Sequence, residues 1–314
     1  MIRRPAAQSV ETSTSGIEEN TTEAKKPKKP ENRAKRSSQK VKANNVQPVD
    51  PAVWRVDGRP TLTEAAAAST MQAPGDRGST EATTQVLRER LRELQVRLLA
   101  EQSQSLLIVL QAMDAGGKDG TVKSLYLGMN PTGAAIHSFS VPTEEERAHD
   151  FLWRIHARTP GKGTVTIFNR SHYEDVLAVR VRKISPPAVW QPRFDIINEF
   201  EAGLTSARTR VVKIMLHISK DEQQLRLQSR IDDPSKRWKF RMGDLEDRAL
   251  WPEYKRAYQD MIAKTSTKDA PWYVVPADKK WYRDFAVMNI VVGTLESMKP
   301  DFPPLKEFDG LVIP

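Results

Sequence analysis

The stretch SLLIVLQAMDAGGKDGT, residues 105–121, decides the fold. Its first nine residues, Ser105–Met113, are almost wholly apolar and rich in Leu, Ile and Val. They read as a strand buried on both faces of a sheet. Glycines follow at 116 and 117, then Lys118 and a helical stretch to about Leu127. A strand, a glycine-rich bend and a helix in that order favour a phosphate cradle over an ordinary strand–helix turn with surface charges. The glycines let backbone N–H groups converge on an anion, and the helix N-terminus adds free N–H groups and partial positive charge. Lys118 is a mobile point charge for phosphoryl oxygens. The pattern G-x-x-x-x-G-K-[ST] is met at the second glycine and the lysine, but Ala112 replaces the first glycine and Asp119 the hydroxyl residue. Asp114 and Asp119 would repel a bare phosphate. They make sense if a divalent cation intervenes, or if one of them orients an incoming group. Mg²⁺ suits such a loop, because it takes one or two carboxylates plus substrate phosphates.

Outward from this loop, strands alternate with helices. Short or buried strands are expected at Ala135–Phe139, Thr164–Phe168, Val211–Ile218 and Trp272–Val275. Helices are expected from about Thr83 to Leu99, from Thr143 through Ile155, over Arg193–Leu204, from Ser219 to about Ile231, around Leu250–Ile262 and over Trp281–Leu295. Thr143 with Glu146, and Ser219 with Glu222, carry the spacing of a capping box. This alternation implies crossover connections and a largely parallel sheet with helices on both faces, an α/β fold. Ligands in such folds bind at the carboxyl ends of strands, here just after Met113, Phe168 and Ile218.

The segment directly after Phe168 is NRSHYED, residues 169–175. Arg170 at a strand end is a candidate clamp on a transferring phosphoryl group. Asn169 can orient a metal-bound water or a phosphate oxygen. Glu174 can serve a cation, but Ser171 three residues earlier equally makes it half of a capping box. His172 is expected to be packed and hydrogen-bonded. None of the five histidines has the spacing of a zinc site. Residues 225–242, LRLQSRIDDPSKRWKFRM, hold six basic side chains against Asp232 and Asp233. Beyond a strand's carboxyl end, such a segment suits a lid that closes over phosphates and excludes water. Trp238 is expected to pack beneath it.

The chain has 314 residues, a net charge of +9 and no cysteine, which excludes disulfides, thiolate metal sites and cysteine nucleophiles. No apolar run approaches a membrane span, and MIRRPAAQSVETSTSG lacks the apolar core of a secretory signal, so a cytoplasmic protein is expected. Nine basic residues and one acid lie between Lys25 and Lys42, leaving +1 for the rest of the chain. Residues 1–50 are expected to be a disordered basic tail, either solubilising or a weak tether for a polyanion. Residues 51–82 read as a lead-in segment and linker, 83–300 as the main domain with a lid at 221–250, and 301–314 as a C-terminal tail.

QAMDAGGKDGT at 111–121, SFSVPTEEERAHDFLWRIH at 138–156, IFNRSHYEDVL at 167–177, MLHISKDEQQLRL at 215–227, DDPSKRWKFRMGDLEDR at 232–248 and APWYVVPADKKWYRD at 270–284 closely resemble the polyphosphate kinase 2 family. The resemblance runs from roughly Trp54 to Leu295. It implies a three-layer α/β/α P-loop kinase-like domain with a parallel sheet and a helical lid, assembled as a dimer or tetramer. It implies Mg²⁺-dependent transfer of the terminal phosphoryl group of inorganic polyphosphate to AMP or ADP, giving ADP or ATP, partly reversibly. FNRSHYED looks like the subgroup acting on both nucleoside mono- and diphosphates, whereas other members carry Asp-Arg where this chain has Asn169-Arg170. Carried onto these positions, the expected catalytic residues are Asp114, Lys118, Arg170 and Glu174. Asp114 and, second to it, Glu174 are the expected metal ligands. Phosphate and nucleotide contacts are expected from Ala115, Gly116, Gly117, Asp119, Gly120, Thr121 and Asn169, and from the lid residues Arg230, Lys236, Arg237, Lys239 and Arg241. The alternatives are an ATP-dependent small-molecule or nucleoside monophosphate kinase, and a non-enzymatic polyanion or nucleic-acid binder acting through the basic tail. No membrane or nucleic-acid partner is expected of the main domain.

Overall fold

Strand β2, Ser105–Ala112, is buried along its whole length and divides the core in two. Leu106, Ile108 and Leu110 point into one apolar layer, Leu107 and Val109 into the other, as the two-residue period of a strand requires. Each such side chain contributes about 1.5–3 kcal/mol when fully buried. The computed structural model describes residues 48–304 and 311–313. The basic run at 25–42 lies outside them.

The other strands are β1 (Arg55–Val56), β3 (Ala134–Ser138), β4 (Val165–Asn169), β5 (Thr209–His217) and β6 (Trp272–Pro276). They form one sheet in the order β1-β6-β5-β2-β4-β3. All neighbours are parallel except β1, which pairs antiparallel with β6. The expected parallel sheet therefore carries one antiparallel edge strand. One face is covered by the helices Arg77–Glu101, Lys118–Tyr126 and Lys280–Met298, the other by Arg193–Ser206 and Trp251–Thr265. From β2 the chain goes to one side for β3 and β4, then crosses to the other for β5 and β6. This reversal opens a crevice at the carboxyl end of β2.

Four local expectations change. The first long helix starts at Arg77, not near Thr83, because Asp76 caps it by accepting from Ser79 N at 2.8 Å. Its first two turns hide Thr80 and Thr84, whose hydroxyls bond back to Asp76 and Thr80 carbonyls, so no apolar period marks them. The lead-in region is packed: Trp54 and Ala67 are buried, and Val49 N already bonds to Asn289 Oδ1 at 2.9 Å. The helix expected from Thr143 through Ile155 is two pieces, Glu144–Ala148 and Trp153–His156, although the Thr143–Glu146 capping box forms. At Ser219 only half of the box forms, since Glu222 pairs with Arg226 instead. No helix among the described residues is long and apolar enough to cross a membrane.

Candidate active site

The bend after β2 is built from two left-handed residues, Ala115 (φ 58°) and Gly117 (φ 104°). Gly117 is the N-cap of the Lys118–Tyr126 helix. A Cβ at 117 would sit 2.1 Å from Nη1 of the buried Arg283, so this position needs glycine twice over, for its dihedral and for its space. Gly116 N–H is used internally, donating to Met113 O at 3.0 Å. The N–H groups of Lys118, Asp119 and Gly120 stand in the first helical turn, and find no backbone acceptor among the described residues. Thr121 N–H closes the turn on Gly117 O. Lys118 folds back so that Nζ donates to Ala112 O at 2.7 Å. Burial and the nearby Arg170 pull its ammonium down to about 8, against the attraction of Asp114, Glu174 and Asp119.

β4 runs beside β2, with Asn169 opposite Leu110. The chain then turns sharply at Arg170 (φ 63°), whose N–H donates to Leu110 O at 3.1 Å. This turn throws the Arg170 side chain over the β2 loop. Its Nη2 donates to Asp114 Oδ1 at 2.7 Å, and Nη1 lies 3.7 Å from Glu174 Oε2. The Glu174 carboxylate, with Asp114, holds the Arg170 guanidinium well above its ordinary pKa despite burial. Burial pushes the Asp114 carboxyl up, but Lys118 and Arg170 outweigh it and leave it below the usual range. Asn169 Nδ2 donates to Asp119 Oδ1 at 2.9 Å. Glu174 makes no capping box: Ser171 Oγ accepts from Tyr173 N, and Glu174 faces Arg170. With its amide oriented to satisfy both ends, Gln111 donates to Glu174 Oε1 and accepts from Ser171 Oγ, each at 3.1 Å.

The segment expected to form a lid has three parts: a helix Lys220–Asp232, a 3-10 turn Arg237–Lys239 and a helix Met242–Ala249. Its near end grips the loop. Gln223 Nε2 donates to Asp114 O at 2.9 Å, and Arg226 reaches the carbonyls of Ala115 (3.1 Å), Ala277 (2.6 Å) and Asp278 (3.0 Å). Arg230 turns to Asp244 Oδ2 at 3.3 Å, and burial plus the charge of Asp114 raise the Asp244 carboxyl. The far end is solvent-facing. Lys236 pairs with Asp233, Arg237 Nε donates to Ile231 O, Lys239 lies over the Trp238 ring at 5.0 Å, and Arg241 is exposed. Trp238 is 76% exposed, so it does not pack beneath the lid.

Asp114, Lys118, Arg170, Glu174, Asn169 and Asp119 thus meet at the carboxyl ends of β2 and β4. Arg230 approaches them through Asp244, while Lys236, Arg237, Lys239 and Arg241 make only local contacts among the described residues. Gln223, Arg226, Asp244 and Arg283 were not among the expected site residues. The i,i+4 spacing of Arg226 and Arg230 marks a shared helix face. A charged residue inside the apolar Lys280–Met298 helix is the only local mark of Arg283.

No group of three or more His, Asp or Glu side chains among the described residues is arranged to hold a metal ion. Asp114 has one oxygen on Arg170, and Arg170 stands between it and Glu174. That donor set suits Mg²⁺, which binds through one or two carboxylates and completes its shell with phosphate oxygens and water.

A sequence profile described as polyphosphate kinase 2 matches residues 75–303. An AMP/ADP-polyphosphate phosphotransferase of Meiothermus ruber is 56% identical over 218 residues, covering 69% of this chain and 82% of the relative. An ADP-polyphosphate phosphotransferase of Rhodopseudomonas palustris is 43% identical over 227 residues, covering 68% and 78%. The crystal structure of polyphosphate kinase 2 from Arthrobacter aurescens superposes with a TM-score of 0.79 at 44% identity, over 82% of this chain and 93% of that one.

Proposed function

The chain belongs to the polyphosphate kinase 2 family, and from that premise we propose how its own residues carry out phosphoryl transfer from polyphosphate to AMP and ADP. An oxygen of the nucleotide's terminal phosphate bonds to the terminal phosphorus of the polyphosphate. The bridging P–O bond to the rest of the chain breaks, and the shortened polyphosphate keeps the bridging oxygen. The same steps in reverse return phosphate from ATP or ADP to the polymer.

Such a reaction needs alignment and charge neutralisation more than covalent help from the protein. The free N–H groups of Lys118, Asp119 and Gly120 receive phosphoryl oxygens, with Lys118 Nζ leaving Ala112 O to reach them. Arg170, presented by its left-handed turn, stabilises the charge that develops on the transferring group. Asp114 orients the acceptor side, with Gly116, Gly117, Thr121 and Ala115 shaping the bend around it. Asp114, and Glu174 second, would hold Mg²⁺ together with substrate oxygens. The ion would supply positive charge that offsets the negative charge of the phosphates. Arg230, Lys236, Arg237, Lys239 and Arg241 bind the polyphosphate chain as the lid closes. A homo-oligomer is the assembly we expect, measurable by light scattering.

The observation that carries this reading is the convergence of Asp114, Lys118 and Arg170 on an open helix N-terminus at the switch point of the sheet. Purified protein with Mg²⁺, AMP and long-chain polyphosphate, and no ATP, should form ADP and then ATP. Silence in that mixture, with phosphorylation of AMP when ATP alone is the donor, would replace polyphosphate by ATP in the reading.

A further inference from the structure

Behind the 169–175 loop lies a second polar group, buried in the core. Lys213 of β5 is 0% exposed, and Glu201, on the Arg193–Ser206 helix, is 1% exposed. Lys213 Nζ spends all three donors: on Glu201 Oε2 (2.5 Å), Tyr173 OH (3.0 Å) and Thr265 O (2.5 Å). Tyr173 OH donates to Glu201 Oε1 at 2.7 Å, and His172 Nε2 lies 3.2 Å from the same oxygen. The Tyr173 ring packs edge-on against Trp272 at 4.8 Å. Burial holds the His172 imidazole below its ordinary pKa, and its Nδ1 has no hydrogen-bond partner among the described residues.

A buried ion pair is weak evidence for stability, because a well-packed apolar pair of the same volume often does as well. Here the pair does something an apolar filling would not. Its partners His172 and Tyr173 follow Arg170 by two and three residues. Arg170 is held in the left-handed region, where a long side chain stays only if its surroundings over-determine it. On the front of the loop, Arg170 is held by Asp114 and Glu174, both of which substrate or metal must disturb. The rear attachment involves neither of those carboxylates.

We propose that Tyr173, Lys213 and Glu201 are positioning residues: their buried network anchors the loop to β5 and the Arg193–Ser206 helix, and so keeps Arg170 aimed at the transferring phosphoryl group. The proposal rests on the reading of Arg170 as the clamp on that group. None of the three touches substrate.

The test compares Tyr173→Phe, which removes only the bridging hydroxyl, the double variant Lys213→Met with Glu201→Leu, and Arg170→Lys as a control. Steady-state rates with AMP and polyphosphate and thermal unfolding are measured on the full chain. Tyr173→Phe should lose tenfold or more in kcat, with KM for both substrates within twofold and the unfolding midpoint within a few degrees. The double variant, if it folds, should recover stability without recovering kcat. Normal kcat in folded Tyr173→Phe, or a raised KM at unchanged kcat, would overturn the proposal. Arg170→Lys separates the two levels: impaired Arg170→Lys beside normal Tyr173→Phe defeats the positioning role alone, whereas full activity in Arg170→Lys defeats the clamp itself.

Discussion

Arg170 Nη2 donates to Asp114 Oδ1 at 2.7 Å, joining the end of β4 to the loop after β2. The two residues are 56 apart in sequence. The contact sets a guanidinium directly against a carboxylate, and the charge of Lys118 acts on the same carboxylate. In the function proposed above, phosphate would take the place of Asp114 as the partner of Arg170, so the proposed clamp would be neutralised without substrate and available with it.

Lys118→Ala should remove most turnover and leave the fold intact. Loss of one preorganised donor costs about 3 kcal/mol, on the order of 100-fold in rate. Single-turnover rates and circular dichroism check it, and near-normal turnover would mean that the cradle lies elsewhere.

The same lysine predicts two opposite pH trends. With its folded pKa pulled down to about 8 from the ordinary lysine value of 10.5, the charged form is lost as pH rises through 8, so kcat/KM should fall there. Between pH 8 and 10.5 the unfolded chain holds the proton that the folded chain has lost, so this group's contribution to stability rises with pH. Comparing pH–rate and pH–unfolding profiles of the natural chain and Lys118→Met isolates both. Profiles that coincide in shape would remove Lys118 as their source.

Arg226 and Arg230, one helical turn apart, should behave differently. Arg226→Ala leaves the carbonyls of Ala115, Ala277 and Asp278 without this donor. Each unmet buried group costs about 1–3 kcal/mol, so both the unfolding midpoint and kcat should drop. Arg230→Ala frees only a contact with Asp244 and one with Lys239 O. It should lower activity at nearly unchanged midpoint. Calorimetry on both variants decides, and equal midpoints would count against Arg226 as a brace of the loop.

Arg237→Ala and Lys239→Ala, at the exposed end of the lid, should raise KM for polyphosphate severalfold and leave KM for AMP within twofold. The effect should shrink at high salt, because exposed charges are screened. Equal changes for both substrates would contradict the assignment of this end of the lid to the polymer.

Gly117→Ala forces an L side chain to φ 104° and onto Nη1 of Arg283, which is itself tied to Asp284 at 2.7 Å. The left-handed backbone alone costs roughly 1–2 kcal/mol. A lowered unfolding midpoint with lost activity is expected. An unchanged midpoint would show that the loop relaxes freely.

Much of this was readable along the chain. The strand Ser105–Ala112 announces itself because burial on both faces leaves no polar period, and the bend after it because glycine and a following helix are local signals. NRSHYED was harder. Ser171 and Glu174 have capping-box spacing, and only the Arg170 turn, which aims the guanidinium between Asp114 and Glu174, removes that option. Trp238 looked like a residue to be covered, yet it stands in solvent beside Lys239.

Periodicity, glycine and capping chemistry act over a few residues, so order along the chain is enough to identify the α/β class, the glycine bend after β2 and the basic segment at 225–242. Partner choice among charges is different. Arg170 with Asp114, Gln223 with the Asp114 carbonyl, Arg283 against Gly117 and Lys213 with Glu201 are settled by which strand ends and helix faces the sheet order brings within a few ångströms. A guanidinium carries no mark of its eventual partner until the backbone has placed one there.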